Sequence, residues 1–107
     1  MSENDIQNTV LEYLNLNKKI KGYFFWRANT IGVYDSVNKS FRRLPKYTIK
    51  GAPDINLIWN GQYIGLEIKQ KGTYQSKEQK EFEQFVKDVG GEYYVIRSID
   101  NLKEIGL

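Results

Sequence analysis

Residues 51–72 read GAPDINLIWNGQYIGLEIKQKG, and the rest of the chain organises around them. The segments 54–59 (DINLIW) and 62–70 (QYIGLEIKQ) are strand-like. Asn60-Gly61 between them is the strongest short hairpin signal, because both central residues of a type I′ turn need positive φ. With a two-residue loop Trp59 faces Gln62, so Leu57 opposes Ile64, Ile55 opposes Leu66 and Asp54 opposes Glu67. Side chains alternate along a strand, which sends Ile64, Leu66 and Ile68 to one face and Gly65, Glu67 and Lys69 to the other.

Two acids placed opposite each other are about 4.5–5.5 Å apart and repel, by on the order of 3 kcal/mol at an effective dielectric near 20. A cation between the carboxylates offsets that cost. Hard oxygen ligands suit Mg2+, with Mn2+ as an alternative, and such ions keep waters and accept phosphate oxygens. Lys69 then adds a positive charge beside the metal. Plainer readings exist for each part: Pro53-Asp54 is a common turn pair, and Glu67 with Lys69 is also what a solvated strand face looks like.

The conjunction, Pro-Asp followed by Glu67-Ile68-Lys69 on the partner strand, resembles the PD-(D/E)XK nuclease superfamily. With Gly51-Ala52-Pro53-Asp54, Gln79-Lys80-Glu81-Phe82, the Gly90-Gly91 turn and Tyr94-Val95-Ile96-Arg97-Ser98 included, the chain is similar to a small stand-alone VRR-NUC (virus-type replication-repair nuclease) domain. The resemblance covers nearly the whole chain, although residues 33–46 carry no family signature.

Composition narrows the chemistry. At 107 residues the chain is expected to form one domain over residues 1–107, with a modest core. It has no Cys and no His, which removes disulfides, Cys/His zinc sites, thiol nucleophiles and histidine-based hydrolysis. No apolar run approaches membrane-spanning length and no signal-peptide pattern appears, so a cytoplasmic protein without membrane contact is expected. The net charge is +3, yet Lys39, Arg42, Arg43, Lys46 and Lys50 lie in an acid-free stretch. Such a strip suits a phosphate backbone and equally describes a solvated basic loop.

In chain order, residues 3–16 have helical apolar spacing (Ile6, Val10, Leu11, Leu14) with Ser2 as cap. Glu3 shares the edge of the inward face, where it either approaches the site, as the resemblance implies, or simply complements the helix dipole; Glu12 sits on a more polar part. Residues 15–22 read as a polar, basic turn. Residues 23–27 (YFFWR) read as a core strand whose aromatics fill the interior or stack on bases, and Arg27 contacts phosphate or joins a salt bridge. A short hairpin is expected over residues 32–44, with Phe41 packing back. Ser76 and Gln79 have capping-box spacing for a helix to about Val89, with Phe82, Phe85, Val86 and Val89 on its apolar face. Gln79 thus has two claims on it, the cap and, as the resemblance implies, the site, which one side chain does not easily meet together. A final strand at 93–97 and a helix over 100–107 complete an α/β domain with a mixed central β-sheet flanked by α-helices.

The resemblance implies a restriction-endonuclease-like core and a metal-dependent deoxyribonuclease of phage or bacterial origin. Asp54, Glu67 and the Ile68 carbonyl would hold the metal, Lys69 would act on the attacking water, and Glu3 and Gln79 would assist. Arg27, Lys39, Arg42, Arg43, Lys46, Lys50 and Lys71 would meet DNA, with branched or junction DNA as the expected form, and a two-fold homodimer would present two sites. The alternatives are a non-catalytic nucleic-acid-binding module on the same fold and an interaction domain whose aromatics meet a protein.

Overall fold

The computed structural model describes residues 1–28, 34–35, 40–41 and 46–107. Its elements are α1 (Glu3–Lys21), β1 (Tyr23–Arg27), β2 (Tyr34–Asp35), β3 (Ser40–Phe41), β4 (Ile55–Trp59), β5 (Gln62–Ile68), α2 (Lys77–Asp88), β6 (Glu92–Ile96) and α3 (Ile99–Glu104). The main sheet has the order β1-β4-β5-β6. Its first three strands are antiparallel, and β5 and β6 are parallel. The chain is therefore an α/β domain with a mixed four-stranded sheet, and α2 supplies the crossover that a parallel pair requires. No helix among the described residues is long and apolar enough to cross a membrane.

The β4–β5 hairpin has the expected register, with Trp59 on Gln62, Leu57 on Ile64 and Ile55 on Leu66. Asn60 and Gly61 take φ of 53° and 74°, the pair of positive values that a type I′ turn needs. β2 and β3 pair as a short hairpin, Tyr34 on Phe41. The connection expected between them, the packing of Phe41 and the positions Lys39, Arg42 and Arg43 lie outside the described residues.

One sheet face carries the core. Ile55, Leu57, Ile64, Leu66, Ile68 and Ile96 pack under Ile6, Val10 and Leu14 of α1 and Leu102 of α3. The capping box expected around Ser76 forms, and Ser2 builds a second one with Asp5 at the start of α1.

Three expectations change. The first helix does not end in a turn at 15–22 but continues to Lys21, because nothing before Gly22 breaks it. Lys18, Lys19 and Lys21 favour a helix C-terminus, and Gly22 closes it at φ 80°. Residues 23–27 form an edge strand rather than a core one. Only one of its faces is covered, so Tyr23 is buried while Phe24 is 66% and Trp26 40% exposed. In α2 no residue is fully buried: Phe82 packs on Tyr93, but Phe85 and Val89 face solvent.

Gly51 locks the approach to β4. At φ +85° a Cβ there would stand 2.3 Å from the Glu78 carbonyl oxygen, so the loop before Pro53 lies directly on the first turn of α2. Gly51→Ala is expected to destabilise the protein by about 1–3 kcal/mol, read as a lower midpoint in urea unfolding, whereas Gly61→Asn, at a turn position with open space, is expected to cost well under that.

Candidate functional site

The second sheet face is organised in rows set by the strand register. Trp26, Asn56, Gly65 and Tyr93 form one row. The next row toward the strand ends contains Asp54, just before β4, then Glu67 of β5 and Val95 of β6. Asp54 is tied in on both sides. Its carbonyl accepts a hydrogen bond from the Ala28 amide (2.9 Å), and its Oδ2 accepts from the Ile68 amide (2.8 Å). Pro53 is fully buried and packs across Gly65, where a Cβ would come within 3.0 Å of its ring. The proline thus seats the aspartate.

Glu67 is the one charged side chain in the buried set of described residues, at 2% exposure. Gln79 Nε2 donates to its Oε1 (2.9 Å), and the Tyr93 hydroxyl donates to its Oε2 (3.3 Å). The two claims on Gln79 are met together. Its Oε1 accepts from the Ser76 amide (2.8 Å) to complete the cap, while its Nε2 reaches Glu67, because an amide accepts at one end and donates at the other. The cap therefore aims the donor.

Burial is the main reason that the Glu67 carboxyl is pushed up to about 8. The charge of Asp54 and a hydrogen bond with it add to the rise, and Lys69 and Tyr93 oppose it. Burial and the charge of Glu67 also raise the Tyr93 hydroxyl, which keeps it a donor. Tyr93 was not singled out from the sequence, where it reads as one more strand aromatic. The signal lies in Gly65, its β5 partner, whose missing side chain leaves room for the tyrosine ring: a Cβ there would stand 3.2 Å from Tyr93 Cδ2.

The donor set suits a hard divalent cation. Among the described residues no three His, Cys, Asp or Glu side chains cluster as a metal group. Ile68 offers a backbone oxygen. The Lys69 amide bonds to Ile96 on the β6 side, whereas the Ile68 amide turns the other way, to Asp54. A strand residue's carbonyl points to the same edge as its amide, so the Ile68 carbonyl faces the Asp54 side.

The other predicted residues are less closely placed. Lys69 shares the Glu67 face, half-buried, and the only ion pair among the described residues is Lys87–Glu83. Glu3 opens α1, with no hydrogen bond to the site among the described residues; Gln70 Nε2 bonds the Met1 carbonyl (2.9 Å) and so brings that helix end to the end of β5. Arg27 is exposed at the end of β1, on the face opposite Glu67. Lys46, over the Tyr47 ring at 5.2 Å, Lys50 and Lys71 are exposed. Arg97, quoted above only as part of a motif, donates through Nη1 to the carbonyls of Gln70 (2.5 Å) and Thr73 (2.8 Å), which fixes the loop between Lys69 and α2. No family model, curated protein or solved structure matches this chain.

Between an ordinary glutamate pKa of 4.5 and about 8, the folded metal-free protein holds a proton on Glu67 that the unfolded chain has released. Stability from this group is complete below the lower value and is lost as pH rises through the upper one. Glu67→Gln removes the titration. In EDTA the variant is expected to gain stability relative to wild type, by a few kcal/mol, as pH goes from about 5 to 8, measured by thermal unfolding at each pH. Tyr93→Phe removes an opposing donor and is expected to move the wild-type transition to higher pH in the same measurement.

Proposed function

We propose that this protein is a metal-dependent nuclease that hydrolyses DNA phosphodiester bonds. The reading includes a restriction-endonuclease-like core of the VRR-NUC type, Mg2+ or Mn2+ as cofactor and a two-fold homodimer acting on branched or junction DNA. The observation that carries it is the Asp54–Glu67 pair. A carboxylate that is almost wholly buried beside a second carboxylate is costly, and each of the two is held by dedicated donors instead of being released to solvent.

Asp54, Glu67 and the Ile68 carbonyl would hold the metal, which when bound supplies Lewis acidity toward a phosphoryl oxygen and a more acidic water. The chain's own residues do the positioning. The Ile68 amide orients Asp54, and Gln79 and Tyr93 orient Glu67, which leaves lone pairs available on both carboxylates. Lys69, on the same face, orients or deprotonates the attacking water and offsets negative charge developing on phosphorus. Beside the buried Glu67 such a fixed charge acts more strongly than it would in open solvent. Lys46, Lys50 and Lys71 supply exposed positive charge for the phosphate backbone, and Glu3 remains a candidate to complete the site.

The test is cleavage of labelled linear, flap and four-way-junction DNA in magnesium, manganese or EDTA. Cutting is expected only with metal, and both Asp54→Ala and Lys69→Ala are expected to reduce it by at least ~100-fold without loss of fold. A folded wild type that binds DNA but cuts none of these substrates would instead identify a non-catalytic nucleic-acid-binding module.

A further inference from the structure

The sheet face that holds Asp54 and Glu67 also carries an aromatic pair that the proposed chemistry does not use. Phe24 and Trp26 alternate along β1 on that face, 66% and 40% exposed, with ring centroids 5.5 Å apart and planes inclined by 32°. Ile58, across from Phe24, is 42% exposed. α2 packs over the other half of the face through Phe82 on Tyr93, and the β1–β4 half keeps its apolar rings in solvent. Exposed aromatics cost solvation free energy that a purely structural strand would avoid by burying them or replacing them with polar residues.

The register places this pair relative to the acids. Trp26 stands beside Asn56, the residue next to Asp54 on the same face of β4. Strand spacing of about 4.8 Å and a rise of about 3.4 Å per residue put the Trp26 backbone within roughly 8–9 Å of that of Asp54; Phe24 lies one row farther out. Positive charge borders the path. The exposed Lys50 precedes Gly51, which sits on the first turn of α2 beside Gln79 and hence Glu67, whereas Arg27, although next to Trp26 in the chain, lies on the opposite face.

We propose that Phe24 and Trp26 are a stacking platform for unpaired bases of single-stranded DNA. This rests on the nuclease reading and specifies its substrate: a strand with unpaired nucleotides next to the bond that is cut. Aromatic rings flanked by cations are the common solution for holding single strands, because every base has a π-face and every nucleotide a phosphate. A paired base hides its faces inside the stack, so the platform discriminates against intact duplex. A protein partner would gain from the apolar rings but not from the lysine on the path to the acids, and DNA uses both.

The test uses the full chain in EDTA, so that binding is read without cleavage. Fluorescein-labelled oligothymidine of about 12 nucleotides and a duplex of equal length are titrated by anisotropy against wild type, Phe24→Ala and Trp26→Ala, with circular dichroism as the check of folding. Each substitution is expected to weaken single-strand binding by about 5- to 100-fold and to change duplex binding less than twofold, whereas Trp26→Phe, which keeps a ring, is expected to retain single-strand binding. In a Trp59→Phe background the remaining Trp26 emission is expected to be quenched by oligothymidine and not by duplex. Unchanged single-strand affinity in the folded alanine variants would overturn the proposal. So would conversion of a dimer to a monomer by these substitutions with binding intact, which would assign the face to a contact between two copies. Ring-dependent binding with no metal-dependent cutting would uphold the platform and refute the nuclease, and cutting with ring-independent binding would do the reverse.

Discussion

Asn60 and Gly61 turn the chain at φ of 53° and 74°, and a two-residue loop of this kind leaves no slack. Once Trp59 faces Gln62, every later pair of β4 and β5 follows in step. A slip of one residue would exchange the faces of a strand, sending Leu66 and Ile68 to the polar side and Glu67 into the apolar core. The buried packing of Ile55, Leu57, Ile64 and Leu66 under α1 therefore stabilises the fold and also holds Asp54 opposite Glu67.

Around that register the molecule is divided between two sheet faces. The α1 face is filled continuously by aliphatic side chains. The α2 face has Gly65 at its centre, and the space it leaves is taken by Pro53 from one side and Tyr93 from the other. Both neighbours bear on the acids, since Pro53 precedes Asp54 and Tyr93 donates to Glu67. Gln79 adds a donor from the α2 N-terminus while serving as the partner of Ser76 in the cap. A helix start, a turn and a glycine thus converge on one carboxyl group. Their combined effect is visible in its proton affinity, raised chiefly by burial.

A buried acid of this kind is expensive unless it is compensated. A bound proton meets the cost at neutral pH, and in the proposed nuclease a divalent cation would replace it. The site is thereby coupled to solvent conditions even though its geometry is set by the backbone. The exposed aromatics of β1 have the opposite character: among the described residues no interior contact requires them, and the proposed role for them is outward, toward a bound strand.

What the sequence determined by itself is what depends on local rules. The hairpin turn, the alternation that puts Glu67 and Lys69 on one face, the capping box at Ser76 and the helix–strand order that makes β5 and β6 parallel are set by residues close in the chain, and each is legible there. The tertiary structure decided what depends on neighbours distant in sequence. YFFWR suits a strand equally at the centre of a sheet or at its edge, and only the order β1-β4-β5-β6 exposes Phe24 and Trp26. Tyr93 becomes a donor to Glu67 because parallel pairing sets it beside Gly65, 28 residues earlier in the chain. Gln79 serves two partners because the α2 N-terminus sits over β5. Burial of the acid is likewise a sum over several elements, which no short window of sequence contains.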